Sequence, residues 1–137
     1  MSHVSSMTAV LAASDLDRAR TFWHDVFGLD PVLSDVTGDY YAVGGTSVLV
    51  YPTSFAGTAK NTTLSLLTDD IAADMAEFRA RGVVFHEYDL EDGPQTVDGV
   101  ADFEGSRAAW FDDSEGNIIA LMQPSEEILA KVAAGSA

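Results

Sequence analysis

The sequence predicts an α+β fold in which one βαβββ unit is used twice. Two observations carry this. First, Ser14-Asp-Leu-Asp-Arg-Ala-Arg-Thr-Phe-Trp-His-Asp-Val-Phe-Gly28 is nearly repeated by Asp69-Asp-Ile-Ala-Ala-Asp-Met-Ala-Glu-Phe-Arg-Ala-Arg-Gly82. Second, each copy follows a β-type run and an acidic turn, and each ends in a Gly before another apolar run. At 137 residues the chain is expected to form one domain, 1–137. Module one is expected at about 6–56, module two at about 61–124 and a C-terminal helix at about 125–134.

Residues 6–13 are short and apolar and read as a buried strand. Ser14 is the expected N-cap, with Asp17 in the first turn. Leu16, Ala19, Phe22, Trp23, Val26 and Phe27 then mark one apolar helix face, which Gly28 ends. Residues 29–34, 39–43 and 46–51 read as strands separated by turn signals at Ser34–Gly38 and Gly44-Gly45. Past a linker at Gly57–Asn61, residues 62–68 form the next strand, and Asp69 is expected to cap a helix that buries Ile71, Met75 and Phe78. Val83–Glu87 reads as a strand and is followed by a long acidic loop. Residues 106–112 and 117–123 read as strands joined by the turn Asp112–Gly116. Pro124 opens a helix with Ile128, Leu129 and Val132 on one side.

Composition excludes several function classes. Seven basic against 22 acidic residues give a net charge of −15, a field that repels a phosphate backbone, so nucleic acid is not an expected partner. No apolar run approaches the roughly 20 residues of a membrane helix, so no membrane partner is expected. The N-terminus lacks a basic region leading into an apolar one, so the cytoplasm is the expected location. With no Cys, thiolate metal sites are excluded. Glu87, Asp89, Glu91, Asp92, Asp98, Asp102 and Glu104 lie between Gly82 and Ser106 without a Lys or Arg. They read first as a solvated loop that keeps the protein soluble, and second as a rim that attracts a cationic ligand. Arg107, the cation beside them, is expected to pair with Glu104 or Asp102. The other reading gives it a ligand carboxylate.

The order of elements resembles the vicinal oxygen chelate superfamily, which includes glyoxalase I, extradiol dioxygenases, fosfomycin-resistance enzymes and bleomycin-resistance proteins. The residues that carry the likeness are Asp15-Leu-Asp-Arg-Ala-Arg-Thr-Phe-Trp, Phe27-Gly-Leu, Asp69-Asp-Ile, Phe78-Arg-Ala-Arg-Gly-Val and Trp110-Phe-Asp-Asp-Ser-Glu-Gly-Asn-Ile-Ile-Ala-Leu, within about residues 7 to 124. The resemblance implies a curved, cup-shaped mixed sheet with helices on its outer face. In the family's enzymes a divalent metal sits in the cup, held by His or Gln from the first strand and Glu from the last strand of each module. Those positions fall here on Thr8, Thr63 and Ala120, with the fourth inside Ser47–Tyr51. None of these segments contains an imidazole or carboxylate. Threonine hydroxyls and a thioether are poor substitutes for such ligands, so neither a metal nor another cofactor is expected.

If position 8 faces the cup, strand alternation brings Thr8 and Val10 with it, and Thr63, Ser65, Ala120 and Met122 by the same logic. Tyr51 and Trp110 supply aromatic surface. These eight residues are the expected ligand contacts. The expected function is therefore metal-free sequestration of an aromatic compound, with a cation favoured by the acidic field, by a homodimer resembling bleomycin-resistance proteins. The alternative is a lyase, isomerase or dioxygenase of the same fold, either metal-dependent or using His86 or Glu104 as acid–base groups.

Overall fold

The structure, a computed structural model, describes residues 3–135. By its internal contacts the chain divides into two compact units. One takes the described residues through Leu64 together with Asp112–Ile118, and the other takes Ser65–Phe111 and the described residues from Ile119 onward. The fold is α+β with two mixed four-stranded sheets, as the sequence predicts.

The first sheet contains β1 (Thr8–Ala13), β2 (Leu33–Asp35), β3 (Gly38–Val43) and β4 (Thr46–Pro52) in the order β1-β4-β3-β2. β1 runs parallel to β4, and the other pairs are antiparallel. Between β1 and β2 the chain forms α1 (Leu16–Phe22), which widens into a π-helical turn at Trp23–Phe27. Gly28 ends this helix in the left-handed region, φ 70°, as expected. Trp23 is buried and stacks on Tyr41 of β3 at a centroid distance of 4.3 Å. Burial, with Asp39 nearby, pushes the Tyr41 phenol up to about 12. Beside it the buried Asp39 receives Arg20 through both carboxylate oxygens, at 2.9 and 3.0 Å, and the Ser34 hydroxyl at 2.7 Å. Gly38 is required at its position, because a Cβ there would lie 2.2 Å from the Val50 carbonyl oxygen.

The second sheet contains β5 (Thr62–Leu67), β6 (Ala101–Phe103), β7 (Ser106–Asp112) and β8 (Ile118–Gln123) in the order β5-β8-β7-β6. α2 (Ile71–Ala80) follows β5, and α3 (Glu126–Gly135) closes the described chain. Ile71, Met75 and Phe78 are buried, as the helical spacing predicts. Phe78 and Phe85 both meet the Phe111 ring edge-on, at 5.8 and 5.6 Å.

The structure corrects several boundaries. The helix N-caps are Asp15 and Asp70, one residue beyond the expected Ser14 and Asp69; their carboxylates accept from Arg18 N and Ala73 N. Ser14 is occupied elsewhere, its hydroxyl donating to Glu115 and accepting from Arg18. The strand expected over 29–34 shrinks to Leu33–Asp35, because Pro31 has no N–H to give a ladder. Val83–Glu87 is no strand: it holds one bridge, Phe85 to Phe111, and a hydrogen bond from His86 N to Trp110 O. The rest of that edge of β7 is taken by β6, which lies inside the stretch read as loop.

In the first unit, the turn Asp113–Asn117 supplies a buried acid to the start of α1. The Glu115 side chain is 1% exposed. Its carboxylate accepts from Arg18 Nε at 2.7 Å, Arg18 Nη2 at 3.0 Å, Asp15 N at 2.8 Å, Ser14 Oγ at 3.2 Å and Ser114 Oγ at 3.0 Å. Asn117 Nδ2 donates to the Ala12 carbonyl at 2.7 Å.

Candidate functional site

Pairing register fixes the two faces of the first sheet. Thr8 lies opposite Ser47, Val10 opposite Leu49 and Ala12 opposite Tyr51, while Tyr40 is paired with Leu49 on the other side of β4. Directly opposed residues point the same way, so Thr8, Val10, Leu49, Tyr51 and Tyr40 share one face. The opposite face, with Leu11, Ala13, Val50 and Tyr41, is the buried one. The first face remains half-buried or exposed despite its apolar content, and Val10 is 54% exposed. Its polar groups pair with each other, Ser47 Oγ donating to Thr8 Oγ1 at 2.5 Å.

On β8 of the second sheet, Ile119 and Leu121 are buried, and Gln123 on the same side accepts from Ile71 N at the start of α2. Ala120 and Met122 therefore take the other side; Ala120 is 6% exposed and Met122 half-buried. On β7, Phe111 meets Phe78 of α2, so Trp110 points away from that helix. Its ring meets Tyr88 at 5.5 Å and Phe103 at 6.4 Å, both nearly perpendicular. Tyr88 and Phe103 are ring partners that the sequence reading missed. Ser65 of β5 is exposed, and Thr63 Oγ1 donates to Ile118 O at 3.1 Å.

The other candidates sit as follows. Half-buried His86 has Nδ1 2.9 Å from the Tyr88 hydroxyl. Glu104 is exposed at the turn between β6 and β7 with φ 53°, followed by Gly105 at φ 98°. Arg107 pairs with neither Glu104 nor Asp102. Its Nη2 donates to Gln123 Oε1 at 3.1 Å, because the amide anchored by α2 lies on the same side of the sheet.

The divalent ion implied by the resemblance does not fit these residues. Its expected positions hold Thr8 and Thr63, whose hydroxyls are already hydrogen-bonded, Ala120, and on β4 the segment Ser47–Tyr51, which has no imidazole or carboxylate. Among the described residues no three His, Asp or Glu side chains converge as a metal site. Hydroxyls and alkyl groups do not displace water from a divalent transition ion.

The chain matches the family model described as Glyoxalase/Bleomycin resistance protein/Dioxygenase superfamily over residues 2–121. No curated protein sequence matches it. Among solved structures it is similar to TnmS3, an antibiotic binding protein from Streptomyces sp. CB03234. They share 29% identity over 90% of this chain and 100% of that one, with a TM-score of 0.60. A bleomycin-binding protein complexed with bleomycin is 18% identical over 89% of this chain and 100% of its own, TM-score 0.63. FosX, a fosfomycin resistance protein from Listeria monocytogenes, is 15% identical over 90% and 96%, TM-score 0.64. At these last two identities the likeness is one of fold. With the twofold βαβββ order and a family match over most of its length, the chain belongs to the glyoxalase/bleomycin resistance protein/dioxygenase superfamily.

Proposed function

We propose that this protein is a metal-independent binder that sequesters a small aromatic compound, cationic ones being favoured by its acidic field, on the apolar strand faces carrying Thr8, Val10 and Tyr51 and carrying Trp110, Ala120 and Met122. Thr63 and Ser65 add hydroxyl groups. The observation that carries this reading is the chemistry of the ligand positions: hydroxyl and alkyl groups stand at Thr8, Thr63 and Ala120, where a metalloenzyme of this fold needs imidazole and carboxylate. The similarity to an antibiotic binding protein at 29% identity supports it. An aromatic ring system that buries about 200 Å² gains about 5 kcal/mol before ordering costs, enough for binding without any chemical step.

A thermal-shift screen of aromatic amines and neutral aromatics, run with and without chelator and with added Mn²⁺ or Zn²⁺, tests the proposal. A ligand at about 100 times its Kd raises Tm by about 5 to 10 °C, and the rise is expected to be indifferent to chelator. Stabilisation that requires the divalent ion defeats the metal-independent reading. Trp110→Ala and Tyr51→Ala identify the face used, since loss of the ring that stacks on the ligand weakens binding by about tenfold or more. The reading also includes a homodimer, which size-exclusion chromatography with light scattering reports directly. The enzymatic alternative draws on the His86–Tyr88 hydrogen bond. It predicts a turned-over product that His86→Ala abolishes while ligand binding persists.

A further inference from the structure

We propose a second ligand site at the β6 edge of the second sheet, one that takes a free amino acid with an apolar side chain. A recess of about 520 Å³, within the range of small-molecule sites, is lined there by Pro94, Val97, Val100, Asp102, Phe103 and Arg107, among others. Asp102 on β6 and Arg107 on β7 are direct register partners. Opposite charges placed directly across an antiparallel pair ordinarily close on each other. Here they do not. Asp102 turns its Oδ1 to the Gly105 amide at 3.0 Å, and Arg107 reaches to Gln123 Oε1 at 3.1 Å. Gln123 is itself held by Ile71 N at 2.9 Å, so the guanidinium is drawn from one side and the carboxylate from the other.

The gap leaves Arg107 in an unusual condition. Arg18, Arg20 and Arg81 each hold a carboxylate, and Arg79 lies 5.2 Å over the Phe85 ring. Among the described arginines, Arg107 alone has neither an ion pair nor a ring beneath it. It is half-buried, and a neutral amide occupies one of its five N–H donors. A half-buried guanidinium so sparsely partnered suits a carboxylate that arrives from outside, gripped as a fork.

Charge then decides the rest of the ligand. A plain anion meets repulsion from Asp102, Asp98 and Glu104, and a plain cation meets Arg107. A molecule with both charges side by side satisfies each: its carboxylate on Arg107, its ammonium on Asp102. The exposed Val97, with Pro94 beside it, gives its side chain an apolar wall. The charged pair of this site faces away from Trp110, because Asp102 and Arg107 alternate with Phe103 and Trp110 along their strands and Arg107 shares the α2 side with Gln123.

The test is a titration of the ¹⁵N-labelled full chain with leucine, N-acetylleucine and leucinamide. Leucine is expected to shift the amides of residues 93–107, while both blocked analogues bind at least about tenfold more weakly, each having lost one charged hydrogen-bonded contact. Arg107→Gln and Asp102→Asn are each expected to weaken leucine by a similar factor with the rest of the spectrum unchanged. Equal binding of either analogue, or no response to leucine, overturns the site, and both readings come from the wild-type chain even if a variant fails to fold. Leucine shifts at Thr8, Val10 and Tyr51 instead also overturn it, while leaving the function proposed above untouched.

Discussion

Replacing Phe111 with alanine is expected to lower the free energy of unfolding by about 4 kcal/mol, from lost transfer energy plus the cavity left behind. Phe111 is 0% exposed and is met edge-on by Phe78 of α2 and by Phe85. Each such ring pair adds about 0.5 to 1.5 kcal/mol beyond area burial, and one substitution removes both. Urea unfolding reads the change as a fall in midpoint of about 2 M, given a slope of about 2 kcal/mol per M. The effect has a local signature too. Val83–Glu87 is tied to β7 by the Phe85–Phe111 bridge and the His86 N to Trp110 O bond, so the His86 amide is expected to exchange faster in Phe111→Ala. Phe55→Ala is the control: that side chain is 74% exposed, and its removal is expected to change stability by less than about 0.5 kcal/mol.

Glu115→Ala is expected to be nearly as damaging, at about 3 kcal/mol, since it strips Arg18, Ser14, Ser114 and the Asp15 amide of their shared acceptor. Arg18 is half-exposed and recovers water, which keeps the loss below that of a fully buried pair. The same carboxylate sets a pH dependence. Although desolvation acts to raise it, the Arg18 guanidinium and the Asp15 and Ser114 hydrogen bonds hold it down to about 2, against an ordinary 4.5. Its folded value lies below its unfolded one, so its stabilisation is complete above about pH 5 and is lost as pH falls through 4.5 toward 2. The shift corresponds to about 2 to 3 kcal/mol once the exposure of Arg18 is allowed for. Asp113, two residues away, runs the other way: desolvation raises it, so its ionisation weakens the fold and acidification relieves that. Glu115→Gln isolates the two. Its unfolding free energy is expected to fall less than that of the wild type between about pH 5 and 2.

The sequence is legible where periodicity and capping act over many residues. Both helices, the Gly28 terminus and the strands at 39–43, 46–51 and 62–68 follow from local pattern, and so does the twofold order. The apolar faces with Thr8, Val10 and Tyr51 follow from alternation once one residue per strand is anchored. The misses arise where the deciding partner lies far along the chain. Ser14 and Asp15 are both good caps, and the choice between them is made by Glu115, which takes the Ser14 hydroxyl. Val83–Glu87 has the composition of a strand, but β6 occupies the neighbouring length of β7. A signal for β6 was present. Asp98-Gly99 and Glu104-Gly105 each place two successive residues at positive φ, as tight hairpin turns require, and Asp-Gly is a strong hairpin dipeptide. The partners of Arg107 carried no signal, because the position of Gln123 beside it depends on where α2 begins.

The first helix is sealed by a side chain a hundred residues downstream: Glu115 reaches Asp15 across 100 positions, and Asn117 reaches Ala12 across 105. On a ribosome adding roughly 5 to 20 amino acids per second, the opening strand and helix therefore exist for seconds before their acceptor is made. Closing so long a loop is slow and entropically costly, so the nascent first half waits unfinished, and the last hairpin to be synthesised completes it.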